Sequence, residues 1–210
     1  MSTWIIYGFR EQRSFMIEIR IHGRGGQGNV VAAYLMAMAA FEEGRYGQAF
    51  PNFGAERRGA PVMAFVRIAN KVIRQRNQVL TPKFLIIQDQ ALLNVPGVTD
   101  GLLPGGKILV NSHLSSAELS MQLGQDVAAL SATVLAKQIL GRPVPNTALL
   151  AAFFALTGIL SLESLGKVLQ QRFKDAILEK NLQLIEQAAK QVPVGLWKQL
   201  GQEENYATSS

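Results

Sequence analysis

The chain has 210 residues, 48% of them hydrophobic, with a formal net charge of +6. That is enough apolar material for one sizeable core, and no long Pro/Ser/Gly linker divides it. The absence of cysteine excludes disulfides, thiol nucleophiles and thiolate-held iron–sulfur clusters from this chain.

The basic residues are scattered, with Lys71 to Arg76 their only local concentration, so no nucleic-acid partner is expected. A basic balance also suits acidic protein partners or phosphorylated ligands. No apolar run reaches membrane-spanning length, and Trp4 to Phe9 lacks both a basic start and a cleavage site. The expectation is a cytoplasmic protein with no membrane contact: a single domain over 15–200, a non-core extension over 1–14 and a polar tail over 201–210.

Ile17 to Ile21 alternates apolar and charged residues, four glycines follow between Gly23 and Gly28, and an Ala-rich run comes next. This is a strand, a tight loop and a helix. The helix is expected from about Asn29 to Glu43, stopping at Gly44, with Val30, Val31, Leu35, Met38 and Phe41 as its core face. A short strand follows from Tyr46, interrupted by Pro51, then a charged loop F-G-A-E-R-R-G-A-P (Phe53 to Pro61), then a strand over Val62 to Ile68.

Phe84 to Gln88 reads as a buried strand, with Asp89 capping a short helix at Gln90 to Leu93. Lys107 to Asn111 is a strand, Ser115 or Ser116 starts a helix toward Leu123, and Val127 to Ser131 is the last strand. Helices are then expected over Ala132 to Leu140, Thr147 to Leu156, Leu162 to Phe173 and Ala176 to Gln191. The fold class is α/β: a mainly parallel sheet with helices on both faces and a helical C-terminal third. Ala151 to Leu156 is apolar all round, so it is either deeply buried or covered by another subunit.

Gly23, Gly25 and Gly28 satisfy G-x-G-x-x-G, which alone discriminates poorly. No acid stands in Tyr46 to Phe53 to hold a ribose, and no Lys-Ser/Thr pair follows the glycines, so dinucleotide binding and nucleotide hydrolysis lack their partners. Either the glycines only allow tight packing, or their backbone N–H groups meet an anion at the positive end of the helix. Arg57 and Arg58, flanked by Gly54 and Gly59, suit phosphate or carboxylate, with Glu56 able to hold one of them. A solvated charged turn is the other reading. His22 and His113 lack Ser and Asp partners for a triad, and Asp89 suits a cap better than a base. The acids are dispersed without metal-ligand spacing.

Several stretches together carry a family likeness: G-R-G-G-Q-G at Gly23 to Gly28, Q-A-F-P-N-F-G-A-E-R-R-G-A-P at Gln48 to Pro61, F-V-R-I at Phe65 to Ile68, L-G-R-P-V-P-N-T at Leu140 to Thr147, and S-L-E-S-L from Ser161. From about residue 16 to 192 the chain resembles the gamma subunit, or equivalent internal domain, of the 2-oxoacid:ferredoxin oxidoreductases, and most of all the pyruvate (pyruvate synthase) branch.

The resemblance implies a subunit of an enzyme that decarboxylates a 2-oxoacid on thiamine diphosphate, sends electrons through [4Fe-4S] clusters to ferredoxin and transfers the acyl group to coenzyme A. Thiamine diphosphate and its magnesium belong to alpha and beta partners, and the clusters to cysteine-bearing chains such as a ferredoxin-like delta subunit. For this chain it implies packing on the catalytic subunits and a hand in coenzyme A binding. The residues expected at that surface are Gly23, Gly25, Gly26, Gln27, Gly28, Asn29, Glu56, Arg57, Arg58 and Gly59, with no catalytic and no metal-binding residue. Two other readings stay open: a purely architectural gamma chain, and a freestanding nucleotide-binding or regulatory module.

Overall fold

The computed structural model describes residues 15–52 and 60–202. Six strands form one sheet: β1 (Met16–Arg24), β2 (Tyr46–Pro51), β3 (Pro61–Ala69), β4 (Phe84–Ile87), β5 (Lys107–Asn111) and β6 (Asp126–Leu130). Their order is β2-β3-β1-β4-β5-β6. The β1, β4, β5 and β6 strands run parallel, whereas β3 is antiparallel to both β1 and β2. The β2 and β3 strands, consecutive in the chain, are direct antiparallel neighbours.

Helix α1 (Asn29–Glu42) follows β1, and α2 (Ser116–Leu123) joins β5 to β6. The C-terminal third contributes α3 (Ala132–Leu140), α4 (Asn146–Thr157), α5 (Leu162–Arg172), α6 (Asp175–Lys190) and a last short helix α7 (Lys198–Gln202). That last helix carries no sequence signal, yet just before it Trp197 is buried, its ring centroid 6.3 Å from that of Phe84. Of the terminal segments expected to lie outside the core, 1–14 and 203–210 fall outside the described residues.

Alternation along β1 sorts its side chains between the two faces. Ile17, Ile19 and Ile21 join α1 and α3 to α6 in the main core, while Leu85, Ile87, Leu92, Ile108, Val110 and Leu119 build a smaller core on the opposite face. Helices therefore cover both faces. The α4 helix is buried against the rest of this same chain, which decides the open question over Ala151 to Leu156 in favour of an internal core helix.

The core face of α1 differs from expectation. Leu35 is buried, but Val30 and Val31 are half-buried, and Met38 and Phe41 are exposed. The buried stripe is Ala32, Ala33, Met36, Ala39 and Ala40. Packing distance is the reason: α1 lies so close to β2 that a Cβ on Gly47 would stand 2.4 Å from the Ala37 carbonyl oxygen, and a nearly uniform apolar helix turns its smallest residues into such a seam.

Candidate functional site

The loop after β1 lies at the carboxyl end of the parallel strands. The helix following β1 packs on one face of the sheet and the 3-10 turn following β4 (Gln90–Asn94) on the other, so the crossovers change side between β1 and β4. In open α/β sheets this switch point is where ligands bind.

The loop is held from several directions. Gln27 N–H donates to the Arg24 carbonyl at 3.0 Å, and Arg24 N–H to the Gln27 side-chain oxygen at 2.8 Å. Gly25 N–H donates to the Ala60 carbonyl at 3.0 Å. Because β3 is antiparallel to β1, its first residue Pro61 pairs with Arg24. Ala60 and Pro61 therefore meet the glycine loop, whereas Glu56, Arg57, Arg58 and Gly59 lie outside the described residues.

Gly26 (φ 95°) is exposed and Gly28 (φ 79°) caps α1 with no side-chain hydrogen bond and no acid in the first turn. The N–H groups at the start of α1 have no partner within the helix, the usual condition of a helix N-terminus. Gly23 is needed for packing: a Cβ there would lie 2.3 Å from the Asn29 side-chain oxygen. Asn29 itself is turned inward, is buried, and donates to the Val62 carbonyl at 2.8 Å. Of the expected anion-facing set, then, Gly25, Gly26, Gln27 and Gly28 border the surface, while Gly23 and Asn29 hold the loop from within.

Beneath the loop, His22 is 3% exposed and its Nε2 accepts from Arg20 Nε at 2.9 Å. Burial, aided by the Arg20 charge, drives its pKa down to about 3, so the imidazole is neutral and structural. Arg20 donates to the Val98 and Asp100 carbonyls at 3.0 and 2.6 Å. Burial lowers its pKa, with Asp100 acting in opposition. Arg24 Nε meets Asp89 Oδ2 at 2.5 Å and ties the end of β1 to the end of β4. Asp89 also accepts from Ala91 N–H at 3.0 Å, so it caps the 3-10 turn as expected.

Beyond Gln27 a crevice of about 600 Å³ runs across the ends of β4, β5 and β6, lined by Asp89, Asn111, Ser112, His113 and Thr133 among others. Asn111 Nδ2 donates to the Gln88 carbonyl at 2.9 Å and to Thr133 Oγ1 at 2.7 Å, fixing the start of α3. Of these lining residues, sequence reasoning singled out Gln27, Asp89 and His113. The signal it could have used is position, since Gln88 and Asp89, Asn111 to His113, and Ser131 stand at or just past the ends of β4, β5 and β6. Among the described residues no three His, Asp or Glu side chains gather as metal ligands, and no helix is long and apolar enough to cross a membrane.

The model of the family described as pyruvate ferredoxin/flavodoxin oxidoreductase matches residues 18–191. The common gamma subunit of the pyruvate/ketoisovalerate oxidoreductases of Thermococcus kodakarensis is 47% identical over 82% of this chain and 95% of its own length. Pyruvate synthase subunit PorC of Methanothermobacter marburgensis is 47% identical over 79% and 92%. The crystal structure of a pyruvate oxidoreductase subunit from Thermotoga maritima superposes with a TM-score of 0.74 and 34% identity, covering 83% of this chain and 96% of that one.

Proposed function

The chain belongs to the pyruvate ferredoxin/flavodoxin oxidoreductase family, as a gamma-type subunit, and on that premise we propose that it packs on thiamine-diphosphate-bearing partners and helps bind coenzyme A. The observation that carries this reading is the hydrogen bond from Gly25 to Ala60, which ties the glycine loop, at the carboxyl edge of the sheet, to the start of β3. The N–H groups at the start of α1, with Arg57 and Arg58 following Pro51 in sequence and preceding Ala60, are the chemistry that a phosphate-bearing acyl carrier requires.

The neutral, buried His22 and the absence of cysteine support a non-catalytic role for this chain, with thiamine diphosphate, magnesium and [4Fe-4S] clusters on alpha, beta and ferredoxin-like delta subunits in the cytoplasm. Pyruvate is the preferred 2-oxoacid on the names of the relatives. The gamma subunit shared by pyruvate and ketoisovalerate enzymes in Thermococcus kodakarensis supports placing substrate choice in the partner chains.

The test replaces Arg57 and Arg58 by Ala in the assembled enzyme. The KM for coenzyme A should rise roughly tenfold or more, the worth of one charge-assisted hydrogen bond, with the complex intact. Unchanged KM and unchanged assembly overturn the reading, and lost assembly without a change in KM leaves an architectural gamma chain.

A further inference from the structure

On the α1 side of the glycine loop lies a second, more enclosed pocket of about 490 Å³, of which the reading above uses only the glycine lip. Gly26 and Gly28 form one lip. Its apolar lining includes Val31 and Leu35 of α1, Phe173 after α5 and Ile177 of α6. Arg142, from the connection between α3 and α4, stands on the lining with Arg172 at the end of α5 and Lys180 of α6. No lining residue is acidic, and among the described residues no carboxylate lies within ion-pair distance of these three cations.

Three cations gathered without a counter-charge over an apolar floor call for a ligand that is itself part apolar and part anionic. Phe173 offers a ring, over which the Arg172 guanidinium sits at 5.8 Å from the centroid. Thr147 and the almost fully buried Asn181 add uncharged polar groups to the wall. The turn bringing Phe173 to the pocket ends at Asp175, whose φ of 50° is the one positive value outside glycine among the described residues. Such a conformation persists only where its surroundings enforce it.

We propose that this pocket is a nucleotide site, the base lying against Phe173 and Ile177 and the phosphate held by Arg142, Arg172 and Lys180. The bound nucleotide is either the nucleotide end of coenzyme A or a free nucleotide acting on the enzyme. The coenzyme A alternative rests on the function proposed above, but the residues assigned here are distinct from Arg57 and Arg58, so the two are tested separately.

Calorimetric titration of the assembled enzyme with AMP, adenosine and inorganic phosphate tests the assignment. AMP should bind at least tenfold more tightly than either adenosine or phosphate. The exposed pair of substitutions Arg142→Gln and Lys180→Gln should weaken AMP tenfold or more while the complex still assembles. AMP bound no better than phosphate reduces the site to a charge patch and overturns the proposal, as does AMP binding that the paired substitution leaves unchanged or no AMP binding at all. Loss of partner chains from the variant makes the pocket a subunit contact and also overturns it. Two results uphold it and separate the sources. Competition between coenzyme A and AMP, with a raised KM for coenzyme A in the variant, identifies the coenzyme. Neither effect, with AMP binding lost, identifies a free nucleotide.

Discussion

Gly28 and Asn146 stand so close that a Cβ on residue 28 would lie 2.6 Å from the Asn146 side-chain nitrogen, which points toward the Gly28 carbonyl at 3.4 Å. This joins the loop that begins the first helix to the start of α4, the helix at the centre of the core. Gly28→Ala meets two penalties, a left-handed backbone at φ 79° and the collision. It should lower stability by about 2 kcal/mol, of which roughly half belongs to the backbone. In urea unfolding, adding Asn146→Ala should recover the collision part only. Full recovery would show that the left-handed turn carries no cost.

His22 makes stability depend on pH. Its folded pKa of about 3 lies below the ordinary value of 6.5. Above pH 6.5 neither folded nor unfolded chain binds a proton there. Between 6.5 and 3 the unfolded chain takes one and the folded chain does not, so stability falls as pH falls through that window. The slope from this one group approaches about 1.4 kcal/mol per pH unit. Unfolding curves at pH 7, 6, 5 and 4 should show that slope in the natural protein and lose it in His22→Gln. Equal slopes in both would mean that His22 is protonated in the fold.

Phe153 of α4 is fully buried and meets Phe84 of β4 edge to face at 5.2 Å between centroids. Phe153→Ala should cost about 3–5 kcal/mol, the range for emptying an aromatic site in a core. Since α4 is buried by its own chain, the loss should appear in denaturant unfolding of the isolated chain, and α4 amides should be among the slowest to exchange. A loss confined to the assembled enzyme would place the partner of Phe153 on another subunit.

Where signals were local, the sequence was read closely. Strand Lys107–Asn111 and helix Ala132–Leu140 have the expected bounds. Ser115 caps α2 by accepting from Glu118 N–H at 3.2 Å, with Glu118 accepting from Ser115 in return. The charged positions of I-E-I-R-I-H carry no local signal for what covers them. Arg20 is buried under residues 98 and 100, and Arg67, paired with Glu18 at 2.6 Å, is wholly buried, accepted by Asn77 and stacked over Phe50 at 5.4 Å. Chain distant in sequence covers that face, and no window around β1 contains it.

The amino-acid sequence by itself determined the strand, glycine loop and helix, the caps, the α/β class and the family likeness, because each rests on residues within a turn or two of one another. Only the tertiary structure decided what surrounds the loop. Ala60 reaches Gly25 because β3 runs antiparallel beside β1, Asn146 reaches Gly28 across 118 residues of chain, and Asp89 reaches Arg24 because β4 is the other neighbour of β1. Those meetings follow from strand order and direction, which backbone preference alone leaves open, and they make one edge of the sheet a composite surface.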